Sequence, residues 1–400
     1  MRRVLLVTVV SGLLGLGQLV AVPSSAVRVD QRFTIPADAT VTLAGHGYGH
    51  GHGMSQYGAE GAARHGLSWQ QIVRFYYPGT ELSTFRGKVR VLVSADTTDD
   101  LVVSTRSRLR VVQSADWKGW TLPDNGATRW RLVVRRGRSS VHYRTDRWRL
   151  FRHLEGDGLF TAGGGRVLEL HTPSGPRRYR GMLMAARPSA DSTARDTVNI
   201  LPMQHYLKGV VPREMPASWS PAAVRAQSVA ARTYAAYERR HRRAPHYHFC
   251  DTTSCQVYGG YDAEQYASNR AVVDTSGSIL RHDGQPALTQ FSSSSGGWTA
   301  AGGPAYLAAQ EDPYDGWEGN ANHDWRIRLD ARRFESAWPA IGNLRRIRFV
   351  ERDGNGQWNG RVLTMVLVGS KATRTVSGED ARWKLGLKST WFTVARVTAN

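Results

Sequence analysis

Cysteine is scarce in this chain of 400 residues: there are two, Cys250 and Cys255. That is too few for a scaffold built on disulfides. Acidic side chains are also in short supply, 33 Asp and Glu against 53 Lys and Arg, which leaves a formal charge of +20. Such a balance favours acidic partners through long-range attraction. After Val4 to Val20 there is no other long apolar stretch, so nothing later in the chain reads as a membrane-spanning helix. Internal repeats and low-complexity tethers are missing too, which excludes a solenoid or a string of loosely joined modules.

What is present begins with a secretory signal over residues 1–26. Arg2 and Arg3 form a basic start, Val4 to Val20 an apolar middle, and Ser24-Ser25-Ala26 a small-residue cleavage site after Pro23. The competing reading is a membrane anchor. No cysteine lies near the site, which argues against a lipid-anchored form. Cleavage would leave a soluble, exported, basic protein with no stable transmembrane segment. Anionic wall polymers and membrane surfaces then suit its charge better than nucleic acid. The densest basic run, Arg239-Arg240-His241-Arg242-Arg243, reads first as a solvated helix terminus and second as a wall-polymer contact.

The remaining chain divides by pattern. Residues 27–84 carry a Gly- and His-rich loop, Gly45 to Gly53, whose alternate glycines suit close backbone approach rather than regular structure. A helix is expected from about Ser55 to Gly66, and a second after Ser68. Residues 85–190 alternate short apolar runs with turn residues, as a β-rich scaffold or accessory region does. Residues 191–400 hold the densest motifs. There a strand-like run, Val198 to Leu201, leads to an Ala-rich helix starting at Ser220-Pro221, a good cap and first-turn pair. A strand is expected over Ala287 to Phe291, and Asp353-Gly354-Asn355-Gly356 reads as a hairpin turn. The fold class expected is α+β: a mixed core with the Ala-rich helix following the key Glu, plus the β-rich insertion.

Between that strand-like run and the long helix lies Glu214, bracketed by Pro212 and Pro216. Its neighbours Val211 and Met215 could desolvate it and raise its pKa toward that of a general acid. The alternative is an ion pair with Arg213, Arg225 or Arg232. Asp251 and Asp262 are the available second carboxylates, and both read better as loop caps.

Five separated motifs carry a resemblance. They are Tyr206 to Met215, Arg225 to Tyr234, Asp251 to Tyr258, Ser293 to Gly297 and Leu385 to Ser389. In that order they resemble the stage II sporulation protein D and amidase enhancer (SpoIID/LytB) family. The resemblance covers about 185 to 400 and resumes at about 45 to 82. It implies a lytic transglycosylase of peptidoglycan glycan strands, with Glu214 as catalytic acid/base and 1,6-anhydro-muramyl ends as product. The non-catalytic alternative is a wall-binding enhancer of a cell-wall amidase. A third reading is a metal-dependent wall hydrolase using His46, His50 and His52. Two departures stand out. Gln204-His205 occupies a place where many relatives carry an acid, and the Gly-His segment precedes the core where sporulation relatives have it after, as in a permuted order.

Candidate substrate contacts on this reading are Gln256, Tyr258, Ser293, Ser295, His50, His52 and Gln56. The Ser292 to Gly297 loop is expected to hydrogen-bond substrate beside Glu214, or to be a plain turn. Catalysis needs no cofactor. Cys250, Cys255, His246 and His248 could hold a structural zinc, which some family members carry in this region; the competing arrangement is a Cys250–Cys255 disulfide.

Overall fold

The computed structural model describes residues 26–189 and 191–399. The expected signal therefore lies, but for Ala26, outside the described residues. No helix among them is long and apolar enough to cross a membrane.

Strands and helices are mixed, and two large sheets form the middle of the molecule. In the seven-stranded sheet the order is Phe249–Cys250, Lys88–Leu92, Asp196–Pro202, Met182–Ala186, Gly158–Thr161, Arg110–Gln113, Gly119–Thr121. Strand alternation sorts its faces. Val89, Val91 and Val93 are fully buried, while Lys88 and Arg90 point to the other side. A six-stranded sheet runs from Trp148–Leu154 at one edge to Gly175–Arg180 at the other. Its Trp130, Leu132 and Leu168 join Val89, Val91 and Leu183 in one continuous core. The expected boundary at 190 falls inside a hairpin, because Met182 pairs with Ile200 and Ala186 with Asp196. Short apolar runs mark strands but not which sheet they enter.

Helices cover this core. Helix α1 is Gln56–Arg64, α2 is Trp69–Tyr76, α3 is Met203–Glu214 and α4 is Pro221–His241. Ser55 caps α1 through Gly58 N–H, and Ser68 forms a capping box with Gln71 at the start of α2. Along α4 the side chains of Ala223, Ala226, Ala230, Ala231 and Ala235 are fully buried, so α1, α2 and α3 approach its backbone closely. Ser220 does not cap α4 with its own side chain. Instead Glu60 of α1 accepts from Ser220 N–H (2.8 Å) and Oγ–H (3.0 Å), placing a carboxylate at the positive end of the helix.

A second, smaller core contains Leu43, Phe334, Ile347, Leu367 and Phe392. It joins the two ends of the described chain. Val27–Thr34 pairs with Leu344–Arg352, and Thr40–His46 lies between Asp324–Asp330 and Phe392–Thr398. Glu81–Thr84 adds to Ser278–His282. The N-terminal segment is thus built into the C-terminal half. The strand expected over Ala287 to Phe291 is almost absent, since only Phe291–Ser292 is extended in a ladder, beside Met54–Ser55.

Candidate active site

Glu214 is the last residue of α3, not the product of a strand-to-helix junction: the run from Met203 is already helical, with Pro212 inside its last turn. Pro212 has no N–H to give to the Lys208 carbonyl, while Val211 still accepts from Met215 N–H as the helix ends. The Glu214 side chain faces a cleft of about 310 Å³ lined also by His50, Tyr234, Thr253, Ser254, Cys255, Gln256, Val257, Gln290 and Phe291. Oε1 accepts one hydrogen bond, from Val257 N–H at 3.2 Å. Burial pushes its carboxyl from 4.5 to about 7, against smaller opposing effects of Val257 N–H and the Arg213 charge.

Two of the three expected ion-pair partners are engaged elsewhere, and Arg213 acts on Glu214 through its charge without a salt bridge among the described residues. Arg225 pairs with Asp274 at 2.7 Å. Arg232 is fully buried and donates to Gln204 Oε1 and to the carbonyls of Val272 and Ser278. The two other candidate carboxylates also have structural partners. Asp251 accepts from Ser94 N–H and Oγ–H, and Asp262 pairs with Arg178. Neither lines the cleft.

The Gly-His loop reaches this site. Gly47, Gly49, Gly51 and Gly53 have φ of +74°, +112°, +82° and +66°. At Gly53 a Cβ would lie 2.1 Å from the Gln290 carbonyl, so glycine is required by both conformation and space. His50 Nδ1 accepts from His52 N–H at 2.9 Å, which puts the neutral ring's proton on Nε2. Burial, His52 and the Arg382 and Arg361 charges press His50 down to about 3, so it is an uncharged wall of the cleft. His52 is also held below its usual value, chiefly by burial, and its Nδ1 meets Gln290 Oε1 at 3.2 Å.

Several expected contacts are turned inward instead. Gln256 borders the cleft, yet its amide joins Tyr206 Oη and the Ala231 carbonyl in the interior. Tyr258 is buried and donates to Asn199 Oδ1 at 2.8 Å. Gln56 is buried against Gln227 at 3.4 Å. Tyr258, Gln56, His52, Ser293 and Ser295 are not among the residues that line the cleft.

The serine loop has another task, which the sequence reading missed. Asp315 accepts from Ser55 Oγ (2.6 Å), Ser294 Oγ (2.7 Å), Ser295 N–H (3.0 Å) and Gly296 N–H (3.0 Å), and meets His323 Nδ1 at 2.9 Å. Asp312 accepts from Ser295 Oγ (2.8 Å) and Tyr76 Oη (3.0 Å). Burial and the neighbouring Asp315 charge raise Asp312 above the ordinary carboxylate value. Burial opposes ionisation of Asp315 as well, but hydrogen bonds from His323, Ser55 and Ser294 hold it below the ordinary carboxylate value. The only sequence signal was a run of serines too polar for the buried place it occupies.

No zinc set is assembled. Cys250 and Cys255 form a disulfide, leaving no thiolate to coordinate. His246 Nε2 pairs with Asp196 at 2.6 Å, and His248 Nδ1 accepts from Arg90 N–H at 3.0 Å. The three loop histidines are likewise separated in role, since His46 pairs with Asp324 at 2.6 Å and stacks on Trp358. Among the described residues no group of three or more His, Cys, Asp or Glu is arranged to hold a metal ion.

Comparison with known proteins fits these motifs. A family model described as stage II sporulation protein (SpoIID) matches residues 191–282. An amidase enhancer of Bacillus subtilis (strain 168) is 43% identical over 120 residues, which cover 28% of this chain and 16% of that protein. Stage II sporulation protein D of the same organism is 29% identical over 230 residues, 50% of this chain and 62% of the relative. Its counterpart in Bacillus amyloliquefaciens is 30% identical over the same shares. The chain therefore spans less than two thirds of the length of each of these relatives. Residues 191–282, which enclose Glu214, the long helix and the disulfide, thus match a stage II sporulation protein (SpoIID) domain, and the chain is similar there to stage II sporulation protein D and amidase enhancer proteins.

Proposed function

We propose that this protein cleaves peptidoglycan glycan strands as a lytic transglycosylase, with Glu214 as its acid and base. The observation that carries the reading is a carboxyl raised to about 7 by burial in an open cleft, with no other carboxylate among the described residues that line it. Near neutral pH such a group is present in both protonation states. In its acid form it gives a proton to the glycosidic oxygen as the bond to C1 breaks. The resulting carboxylate takes the proton of the same sugar's 6-hydroxyl as that oxygen closes on C1. The product is a 1,6-anhydro-muramyl end, and no water is consumed. One carboxylate suffices for this exchange, whereas most glycoside hydrolases need two. His50, with its proton on Nε2, supplies a neutral wall beside the reaction rather than a competing acid.

A second reading has its own support. One relative is named an amidase enhancer, and residues expected to touch substrate are engaged in the interior. On that reading the protein binds the wall and stimulates a cell-wall amidase without cutting. Either role belongs outside the membrane, in cell-wall remodelling that can include sporulation. The test is incubation of the purified protein with intact and peptide-stripped peptidoglycan, with products read by mass spectrometry. Anhydro ends that vanish in Glu214→Gln support the transglycosylase. Firm binding without cleavage supports the enhancer.

A further inference from the structure

A second cavity, of about 360 Å³, shares no lining residue with the Glu214 cleft. Sheet geometry builds it. Lys88 pairs with Pro202 and Arg90 with Ile200, and Met182 lies opposite Ile200 on the next strand. Two basic side chains thus stand on the same face as an apolar floor of Met182 and Ile200. Arg239 and Arg242, at the C-terminal end of α4, close one side. Trp117 closes the other; it is 56% exposed and held at φ +61°, a conformation bulky residues rarely adopt.

The charges here are unpaired. Lys88, Arg90, Arg239 and Arg242 form no ion pair among the described residues, although nearby Arg243 does, with Glu238. No Asp or Glu among the described residues lines the cavity. His248 at its edge is depressed to about 4, first by burial and then by Arg239, Arg90 and Arg242, as expected where positive charges converge. Arg239 also lines an adjoining cavity of about 240 Å³ with Arg240 and Arg281, again without an acid. The cationic surface therefore continues past a single anion.

We propose that this paired cavity is a binding site for a phosphodiester-linked sugar or polyol chain. Guanidinium forks match phosphate oxygens, and a tryptophan face suits the apolar side of a sugar or polyol unit. Arg239 lines both cavities, so linked phosphates could follow its guanidinium from one to the other. A single aromatic wall above an aliphatic floor offers no stack of platforms for nucleic-acid bases. A concave site does not offer the flat apposition that a membrane surface needs. The inference is independent of whether Glu214 is catalytic.

The test uses the full protein and isothermal titration with glycerol-phosphate oligomers at fixed salt. Binding should weaken at least about tenfold in Arg90→Gln/Arg242→Gln, which removes two charge-assisted contacts. Trp117→Ala should weaken it less, while Glu214→Gln should leave it unchanged. The control is Arg346→Gln/Arg374→Gln, which removes the same charge from an exposed part of the other core. If the control weakens binding as much, attraction is general and the site is refuted. If single-stranded DNA or anionic vesicles bind more tightly and lose that binding in Arg90→Gln/Arg242→Gln, the ligand class is wrong. Circular dichroism of each variant separates lost binding from lost folding.

Discussion

The backbone N–H of Val257 donates to Glu214 Oε1 across 3.2 Å, tying the end of α3 to the loop that follows the disulfide. This is the one hydrogen bond that supports the ionised carboxylate in a buried setting. It steadies the side chain but does not offset burial, so the carboxyl stays near 7.

Replacing Glu214 by Gln should abolish proton transfer while preserving shape. Cleavage of peptide-stripped glycan should fall by about 10²–10⁴-fold, with circular dichroism unchanged. In the wild type, single-turnover cleavage should decline as pH rises through about 7, because the acid form is lost there. A rate that is flat from pH 6 to 8 would remove Glu214 as the acid.

The same shift makes a statement about stability. Folded Glu214 keeps its proton up to about pH 7, whereas the unfolded carboxyl releases it near 4.5. The unfolded state is therefore favoured as pH rises between those values, by up to about 3 kcal/mol in all. Glu214→Gln should gain melting temperature over wild type at pH 8 and little at pH 4. Equal differences at both pH values would contradict the burial argument.

Reducing the Cys250–Cys255 bridge should have a modest global effect and a larger local one. The loop closed is short, with a separation of 5 residues, so the loss should be about 2 kcal/mol. Cys255 and Val257 both line the cleft, so cleavage should fall by more than stability implies. Urea titration and turnover with and without reductant measure the two together.

Asp312 and Asp315 should respond unequally. Asp315 is the charged member, facing donors on several sides, so Asp315→Asn should cost at least about 2 kcal/mol in urea unfolding. Burial and the Asp315 charge favour the protonated form of Asp312, so Asp312→Asn should cost clearly less. The reverse order would mean that the proton resides on Asp315.

Arg232 is a buried cation met by carbonyls and Gln204 but by no carboxylate, and burial lowers it to about 9. Gln204→Glu would add the missing opposite charge at the 3.0 Å contact. The expected gain is about 1 kcal/mol, read as a raised urea midpoint at pH 7. A loss would show that desolvating the new carboxylate outweighs the pair.

Legibility in the sequence followed the range of the interaction. Ser55, Ser68 and Pro221 announced their helices because caps and first turns act over a few residues. Glu214 stood out through its motif and apolar neighbours, and the disulfide was one of two stated options. Glu60 was missed because the Ser220 it binds is 160 positions away. Tyr258 and Ser295 were misread for a related reason. A motif shows that a polar residue matters in a region, but not whether it faces solvent or the interior. Their hydroxyls are turned inward by Asn199 and Asp312, which pattern alone does not connect to them.

The strand Thr40–His46 has neighbours on both sides, Asp324–Asp330 and Phe392–Thr398, that are synthesised long after it. At ordinary rates of translation it waits on the order of tens of seconds for the first of them. During that interval Val41 and Leu43, fully buried in the end, have no sheet to enter. The smaller core must consequently assemble late, and a ribosome stalled before Phe392 would hold a chain in which Thr40–His46 has only one flank.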